Sequence, residues 1–60
     1  MPDYKLFVLA SSLRARAEEV LAKAEAMKDP GAKQKMRNVA ANYKTLAQNL
    51  EQHAYDLDKL

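Results

Sequence analysis

The side chains that could act as catalysts are few and are not spaced for catalysis. Ser11, Ser12 and Thr45 carry the aliphatic hydroxyl groups, and the single histidine, His53, lies more than thirty residues beyond the serines. A hydroxyl becomes a nucleophile when a base lies within hydrogen-bonding distance, and this spacing gives no sign of such a pair. The sequence therefore predicts no nucleophilic site, and we interpret His53 as a structural residue.

Residues that bind metals are equally scarce. The chain has no cysteine and one histidine, which removes disulfides, thiolate zinc sites and sites built on a pair of histidines. Helical di-iron proteins use a Glu-x-x-His spacing, whereas Glu51 precedes His53 by only two residues. Glu18 and Glu19 are adjacent, and on a helix they point about 100° apart, too far to share a proton. We expect no metal, no cofactor and no enzymatic activity.

Length and composition indicate one small unit. The chain has 60 residues, a formal net charge of +2 and eleven alanines, which we interpret as helix formers rather than as the filling of a core. The longest apolar run, residues 6–10, is far shorter than the roughly 20 residues of a membrane-spanning helix. Asp3 and Arg14 do not suit a secretory signal, so we expect a cytoplasmic protein without a membrane span.

One segment carries strong helix-breaking residues, the sequence Lys28-Asp29-Pro30-Gly31. Proline suits the first position of a helix, and an aspartate before it accepts hydrogen bonds from the free N–H groups of the first turn. Proline also disfavours helical geometry in the residue that precedes it. The sequence therefore predicts an all-α fold, an antiparallel hairpin over residues 1–60 with helix one at about 3–27, a turn at 28–30 and helix two at about 30–58.

Apolar residues recur along both predicted helices at alternating spacings of four and three, the heptad pattern of packed helices. In helix two a second row runs beside the first, and together the rows span about 160° of the helix surface. Such an arc is wider than one neighbouring helix covers. The row in helix one is Leu6, Ala10, Leu13, Ala17, Val20, Ala24 and Met27; the rows in helix two are Met36, Ala40, Tyr43, Ala47, Leu50, Ala54 and Leu57, and Val39, Leu46, His53 and Leu60.

A hairpin alone leaves these wide rows partly in water, and chains of this size commonly need a partner. We therefore expect a non-enzymatic protein–protein interaction module, either a homodimer that forms a four-helix bundle or an accessory subunit of a larger assembly. A patch off the main row, at Tyr4, Phe7 and Val8, is expected to add to the contact. The expected interface comprises Tyr4, Phe7, Val8, Leu13, Val20, Met36, Val39, Tyr43, Leu46, Leu50 and Leu57.

The alternative is a dimeric helical bundle that binds nucleic acid through a basic strip on helix two. Lys33, Arg37 and Lys44 fall within about 40° of one another on the helical wheel, an arrangement suited to phosphate contacts. Glu51 and Asp58 continue the strip with the opposite charge, and no nucleic-acid-binding motif is present. We therefore keep this function as the alternative to protein–protein association.

The residues around the turn follow the pattern A-E-E…A…M-K-D-P-x-A…A-x-x-Y-x-x-L-A. They are Ala17-Glu18-Glu19, Ala24, Met27-Lys28-Asp29-Pro30, Ala32, Ala40, Tyr43, Leu46 and Ala47. With this pattern the chain resembles, over roughly residues 14–52, short proteins common in alphaproteobacteria. The resemblance implies a small bacterial helical hairpin and brings no catalytic or binding residue with it. Gly31 stands where the family usually has an acidic residue, so the first turn of helix two lacks that favourable charge here.

Overall fold

The chain folds into two α-helices that pack side by side in an antiparallel hairpin. A computed structural model describes residues 4–58, with α1 at Tyr4–Ala26 and α2 at Pro30–Asp58. All regular structure in this range is helical and the two helices contact each other, which confirms the predicted all-α hairpin. The predicted start of helix one near residue 3 and the apolar residue Leu60 lie outside the described residues.

Local hydrogen bonds define the turn between the helices. The Oδ2 atom of Asp29 accepts a hydrogen bond from the backbone N–H of Ala32 at 3.3 Å, and the Asp29 carbonyl accepts one from the N–H of Lys33 at 2.9 Å. The side-chain bond satisfies a donor that a helix N-terminus otherwise leaves unpaired. At the end of α1, the N–H of Met27 donates to the carbonyl of Ala24 at 3.0 Å, so the helix closes on a tighter turn of the 3₁₀ type.

The core between the helices consists of alanine. Within each helix these alanines are seven residues apart, so they fall on one line that faces the other helix. The rows predicted from the sequence contain all of these alanines, and within the rows it is the alanines, not the larger side chains, that are fully buried. A methyl group lets two helix backbones approach closely, and the opposite helix then covers it completely. The buried residues of the described chain, each 1% exposed or less, are Ala10, Ala17, Ala24, Ala40, Ala47 and Ala54.

Contacts between the helices fix their register. Arg14 in α1 binds Glu51 in α2, and the ring of Phe7 contacts the ring of Tyr55. Because each step forward along α1 is matched by a step back along α2, this register places the buried alanines in three level pairs. Pairs of larger side chains alternate with them along the hairpin. The alanine pairs are Ala10 with Ala54, Ala17 with Ala47 and Ala24 with Ala40, and the larger pairs include Leu13 with Leu50 and Val20 with Tyr43.

The hairpin is long and thin. Its Cα atoms extend over 48 × 14 × 9 Å and have a radius of gyration of 14.2 Å, whereas a compact chain of this length has about 10.4 Å. A layer one helix thick has two broad surfaces and no interior beyond the line where the helices touch. None of the large hydrophobic side chains in the described range is therefore fully buried.

Candidate interaction surfaces

The line of alanines divides each helix into two sides. At 100° per residue, Arg14 lies at about +60° and Leu13 at about −40° from Ala17 on the wheel of α1. On the wheel of α2, Lys44 and Tyr43 lie at these same angles from the alanine that is level with Ala17. Because the helices run in opposite directions, the sides at positive wheel angles, which carry Arg14 and Lys44, meet on one face of the hairpin. The sides at negative wheel angles, which carry Leu13 and Tyr43, meet on the other face. The hairpin therefore has two chemically different faces.

Among the side chains that the structure describes, three ion pairs join the sides of the helices at positive wheel angles, and we call this surface the ion-paired face. Arg14 binds both oxygens of the Glu51 carboxylate, with Nη2 at 2.6 Å from Oε1 and Nε at 3.1 Å from Oε2. Two parallel bonds fix the position of α1 against α2 more firmly than a single contact does. The other two pairs are Arg37 with Glu25 at 3.0 Å and Lys44 with Glu18 at 3.5 Å.

The ion pairs change the acidity of their carboxylates. The hydrogen bond from Arg14 is the main cause that lowers the pKa of Glu51, and it outweighs the opposing effect of desolvation. The hydrogen bond from Arg37 likewise lowers the pKa of Glu25, helped by the positive charges of Arg37 and Lys33. Both carboxylates are therefore charged at neutral pH, and they keep their partners into the acid range.

An aromatic pair continues the ion-paired face at the open end of the hairpin. The ring centroids of Phe7 and Tyr55 are 5.3 Å apart and the rings are inclined by 77°, an edge-to-face contact. Phe7 is half-buried, so part of its surface is covered within the chain. Tyr4 and Val8, which the sequence groups with Phe7, are 68% and 65% exposed. These two residues lie on the side of α1 that turns away from the apolar surface described next.

The sides of the two helices at negative wheel angles form a continuous surface of aliphatic and aromatic side chains, and we call it the apolar face. Its inner rows lie beside the line of alanines and are mostly half-buried, whereas its outer rows are exposed, with Leu9 at 49% and Leu46 at 50%. The apolar face comprises the inner rows Leu6, Leu13 and Val20 of α1, Met27 directly after it, and Met36, Tyr43, Leu50 and Leu57 of α2, together with Leu9, Val39, Leu46 and His53 of the outer rows.

The structure divides the predicted interface between the two faces. Phe7 belongs to the ion-paired face, and Tyr4 and Val8 lie beside it or on the outer side of α1. The predicted set is therefore spread over more than one surface, because Phe7 lies across the line of alanines from the other members and Tyr4 and Val8 lie toward the outer side of α1. The members that share the apolar face are Leu13, Val20, Met36, Val39, Tyr43, Leu46, Leu50 and Leu57.

The cations of the predicted basic strip face acids of α1. Arg37 and Lys44 make ion pairs with this helix. Lys33 lies close enough to Glu25 for its charge to contribute to lowering the pKa of that carboxyl. The three cations thus lie on one side of α2, as the sequence predicts, but each has an acidic neighbour.

The side chains considered for catalysis lie on different surfaces. Ser11 is exposed on the side of α1 that carries the ion pairs, whereas His53 is exposed at the outer edge of the apolar face. Residues 4–58 form no pocket, and within them no three acidic or histidine side chains are placed to hold a metal ion. Neither helix of this range combines the length and the apolar character that crossing a membrane requires.

Two features of these faces are not predicted by the sequence. Tyr55 belongs to neither apolar row of α2, and its contact comes from the opposite helix. The second feature is the set of ion pairs between the helices, because the pairing depends on the register of the hairpin. The sequence does contain one indication of these pairs. Glu18 and Glu25 are seven residues apart, and so are Arg37 and Lys44, which is the spacing of charges that flank a helix contact.

No known protein family, curated protein or solved structure matches the chain significantly. The resemblance to alphaproteobacterial hairpin proteins therefore stays a prediction. What the protein does has to be inferred from the chemistry of its two faces.

Proposed function

We propose that this protein is a non-enzymatic interaction module that associates with a second copy of itself through the apolar face, forming a four-helix bundle. One observation carries the proposal. Every residue that is buried in the described part of the hairpin is an alanine, while the large side chains of the apolar face keep part of their surface in water. Burial of apolar surface drives both folding and association, and the single hairpin leaves much of this surface unburied.

The exposed area is of the size that a dimer needs. The chain exposes 4586 Å², whereas a compact monomer of 6.8 kDa exposes about 3,950 Å². The excess of about 600 Å² approaches the ~800 Å² that each partner contributes to a standard specific interface. Covering one broad surface with a second hairpin brings the exposed area of each chain close to that of a compact protein.

A second copy suits the apolar face because it presents the same surface over the same length of 48 Å. Two-fold symmetry then lets one patch serve both partners. Leu13 and Val20 of α1, with Tyr43 and Leu50 of α2, lie in the inner rows and would form the core of such a bundle. Helices of a larger assembly would cover the same rows, which makes an accessory subunit the close variant of this function.

The ion-paired face supports this choice of surface. Arg14, Arg37 and Lys44 already have carboxylate partners within the chain, and burying this face would remove water from three ion pairs at a cost in free energy. The same pairs weigh against the nucleic-acid alternative, because acids of the protein already compete with phosphates for these cations. A mobility shift of RNA or DNA that disappears between low and moderate salt would favour that alternative.

Light scattering over a range of concentrations tests the proposal. We expect twice the chain mass of 6.8 kDa and a thermal midpoint that rises with concentration, because association stabilises the folded state by mass action. The radius of gyration alone is a poor test, since a second layer about 10 Å away raises the value of 14.2 Å to only about 15 Å. A cooperatively melting species of single-chain mass contradicts the proposal, and a co-purified larger assembly favours the accessory role.

Two matched variants identify the face that associates. Leu46→Glu places a charge on the apolar face at a residue that is 50% exposed, and Val8→Glu places the same charge outside this face at a residue that is 65% exposed. We expect Leu46→Glu to convert the dimer into monomer and Val8→Glu to keep the dimer, because an unpaired charge is costly only where association buries it. The opposite result would assign association to the patch around Tyr4 and Phe7.

A further inference from the structure

The two outer edges of the apolar face differ in charge. In the middle of the hairpin the edge on α1 contains two exposed cations, whereas the edge on α2 contains aliphatic side chains that are 40% and 50% exposed; Lys5 and Lys35 lie at these edges nearer the ends of the hairpin. Neither of these outer rows contains an acid; Glu19, the acid nearest to Arg16 on this side of α1, lies about 60° farther from the apolar face. The outer row of α1 is Leu9, Arg16 and Lys23, and that of α2 is Val39, Leu46 and His53.

A dimer of the kind proposed above, on which this inference rests, places these edges in one of two ways. When the two-fold axis runs along the bundle, α1 of each chain lies against α2 of the other and both turns are at the same end. When the axis runs across the bundle, α1 lies against α1 and α2 against α2, with the turns at opposite ends. Neighbouring helices are antiparallel in both arrangements, so the side chains at the edges decide between them.

Placing like helices together brings like charges together. Arg16 lies near the middle of α1, which runs from Tyr4 to Ala26. In an antiparallel contact between two copies of α1 it therefore faces Arg16 of the second copy at the edge of an apolar surface. Like charges placed opposite each other across an interface are strongly disfavoured.

Placing unlike helices together removes this conflict. With the axis along the bundle, α1 faces the opposing α2 in the register that it has with its own α2. Arg16 then comes level with Leu46 and Asn49. One heptad away, Lys23 comes level with Val39 and Asn42. The alkyl parts of the two cations cover the aliphatic side chains, and the amide oxygens of the asparagines accept from their N–H groups.

We infer that α1 of each chain packs against α2 of the other chain, with both turns at the same end of the bundle, and that the charge of Arg16 selects this arrangement.

Cysteine cross-linking tests the arrangement, because the chain has no cysteine of its own. The single variants Leu9→Cys, Leu46→Cys and His53→Cys leave Arg16 in place. In the inferred arrangement Leu9 and His53 of different chains are level across the contact between α1 and α2. In the other arrangement Leu46 and His53 of different chains are level across the contact between two copies of α2. A disulfide requires Cα atoms within about 7 Å, so each pair reports one arrangement.

The variants are mixed in pairs under reducing conditions, unfolded and refolded together. The mixture is then oxidised, and the disulfide-linked products are identified by intact mass. We expect the mixed Leu9→Cys and His53→Cys disulfide to exceed the mixed Leu46→Cys and His53→Cys disulfide by roughly tenfold or more. Equal yields, or an excess of the second product, overturn the inference. Where Leu9→Cys prevents folding, the exposed Ser12, which follows it by three residues on the same side of α1, takes its place.

Two controls distinguish a failure of this arrangement from a failure of the dimer. Light scattering on the reduced variants and the unmodified protein comes first, and a single-chain mass for the unmodified protein overturns the dimer itself. A dimer mass with the second disulfide overturns only the arrangement. Arg16→Leu, added to both chains of the Leu46→Cys and His53→Cys mixture, removes the contact between like charges, so we expect the yield of that disulfide to rise. An unchanged yield overturns the role of Arg16.

Discussion

Arg14 binds both carboxylate oxygens of Glu51, at 2.6 and 3.1 Å, although 37 positions separate the two residues in the sequence. This pair lies on one side of the line of alanines, and Leu13 and Leu50, the neighbours of the two residues in sequence, lie on the other. Ion pairs therefore hold one face of the hairpin together within the chain. By fixing how the helices lie, they also present the other face as a single apolar surface.

We expect the protein to lose stability in acid through these ion pairs. The arginine partners lower the pKa values of Glu51 and Glu25 in the folded protein. The stabilisation is therefore complete above the ordinary glutamate pKa and is lost as the pH falls through the lowered values. Thermal midpoints followed by circular dichroism should fall between about pH 5 and pH 3.

Glu51→Gln is the matched variant for this prediction. It keeps the size of the side chain and removes its charge, so it should melt slightly below the unmodified protein at neutral pH and converge with it near about pH 3. Glu19→Gln, at an exposed position of α1, should leave the acid dependence unchanged. A difference between Glu51→Gln and the unmodified protein that is as large in acid as at neutral pH would contradict a role for the charge.

Ala17→Leu should destabilise the protein. Ala17 is 0% exposed and lies level with Ala47, so a larger side chain forces the helices apart or adopts a strained rotamer. Overpacking of this kind costs about 1–3 kcal/mol in the free energy of unfolding, which urea titration measures. Ala22→Leu, at an exposed position of the same helix, should change it by less than about 0.5 kcal/mol. Equal stability of the two variants would show that alanine does not set the distance between the helices.

The sequence predicts the helices well because their ends depend on local chemistry. Asp29 accepts the hydrogen bond expected of a helix cap, and α2 begins at Pro30. Which residues are buried is not a local property. The alternation of four and three residues fits a hairpin centred on leucine as well as one centred on alanine, and the choice depends on how closely the helices approach. The close approach puts Ala17 at the centre and leaves Leu13 half-buried beside it.

The same limit applies to the candidate surface. Leu13 and Leu46 follow the heptad period, and they lie together on the apolar face. Phe7 and Val8 depart from this period, so the face to which they belong follows from the register of the hairpin. Contacts between residues far apart in the sequence, such as Phe7 with Tyr55, fix that register, and a helical wheel does not contain this information.

Leu50→Asp should abolish association and folding together. Leu50 is half-buried in the inner row of the apolar face, so a carboxylate there is unfavourable in the hairpin and is buried without a partner in the proposed dimer. Light scattering and circular dichroism on the same samples should show loss of dimer mass and of helix content. The exposed variant Gln48→Asp, on the side of α2 away from the apolar face, is the control and should retain both. A folded monomer of Leu50→Asp would show that pairing and folding are separate.

Gly31→Ala should stabilise the protein. Gly31 is the second residue of α2, its φ is not positive, and an added Cβ would lie 3.8 Å from Oδ2 of Asp29, an ordinary contact. Alanine loses less backbone entropy than glycine when the chain folds, so the free energy of unfolding should rise by about 0.5–1 kcal/mol in urea titration.

Asp29→Ala should change the stability in the opposite direction. It removes the side-chain acceptor of the Ala32 N–H, and the loss of such a cap costs about 1 kcal/mol. The variant carrying both Asp29→Ala and Gly31→Ala tests whether the two effects are independent. If the side chain of Asp29 accommodates the new Cβ without moving, the effects add to within about 0.5 kcal/mol. A Gly31→Ala variant that is destabilised only when Asp29 is present would show instead that the methyl group displaces the capping carboxylate.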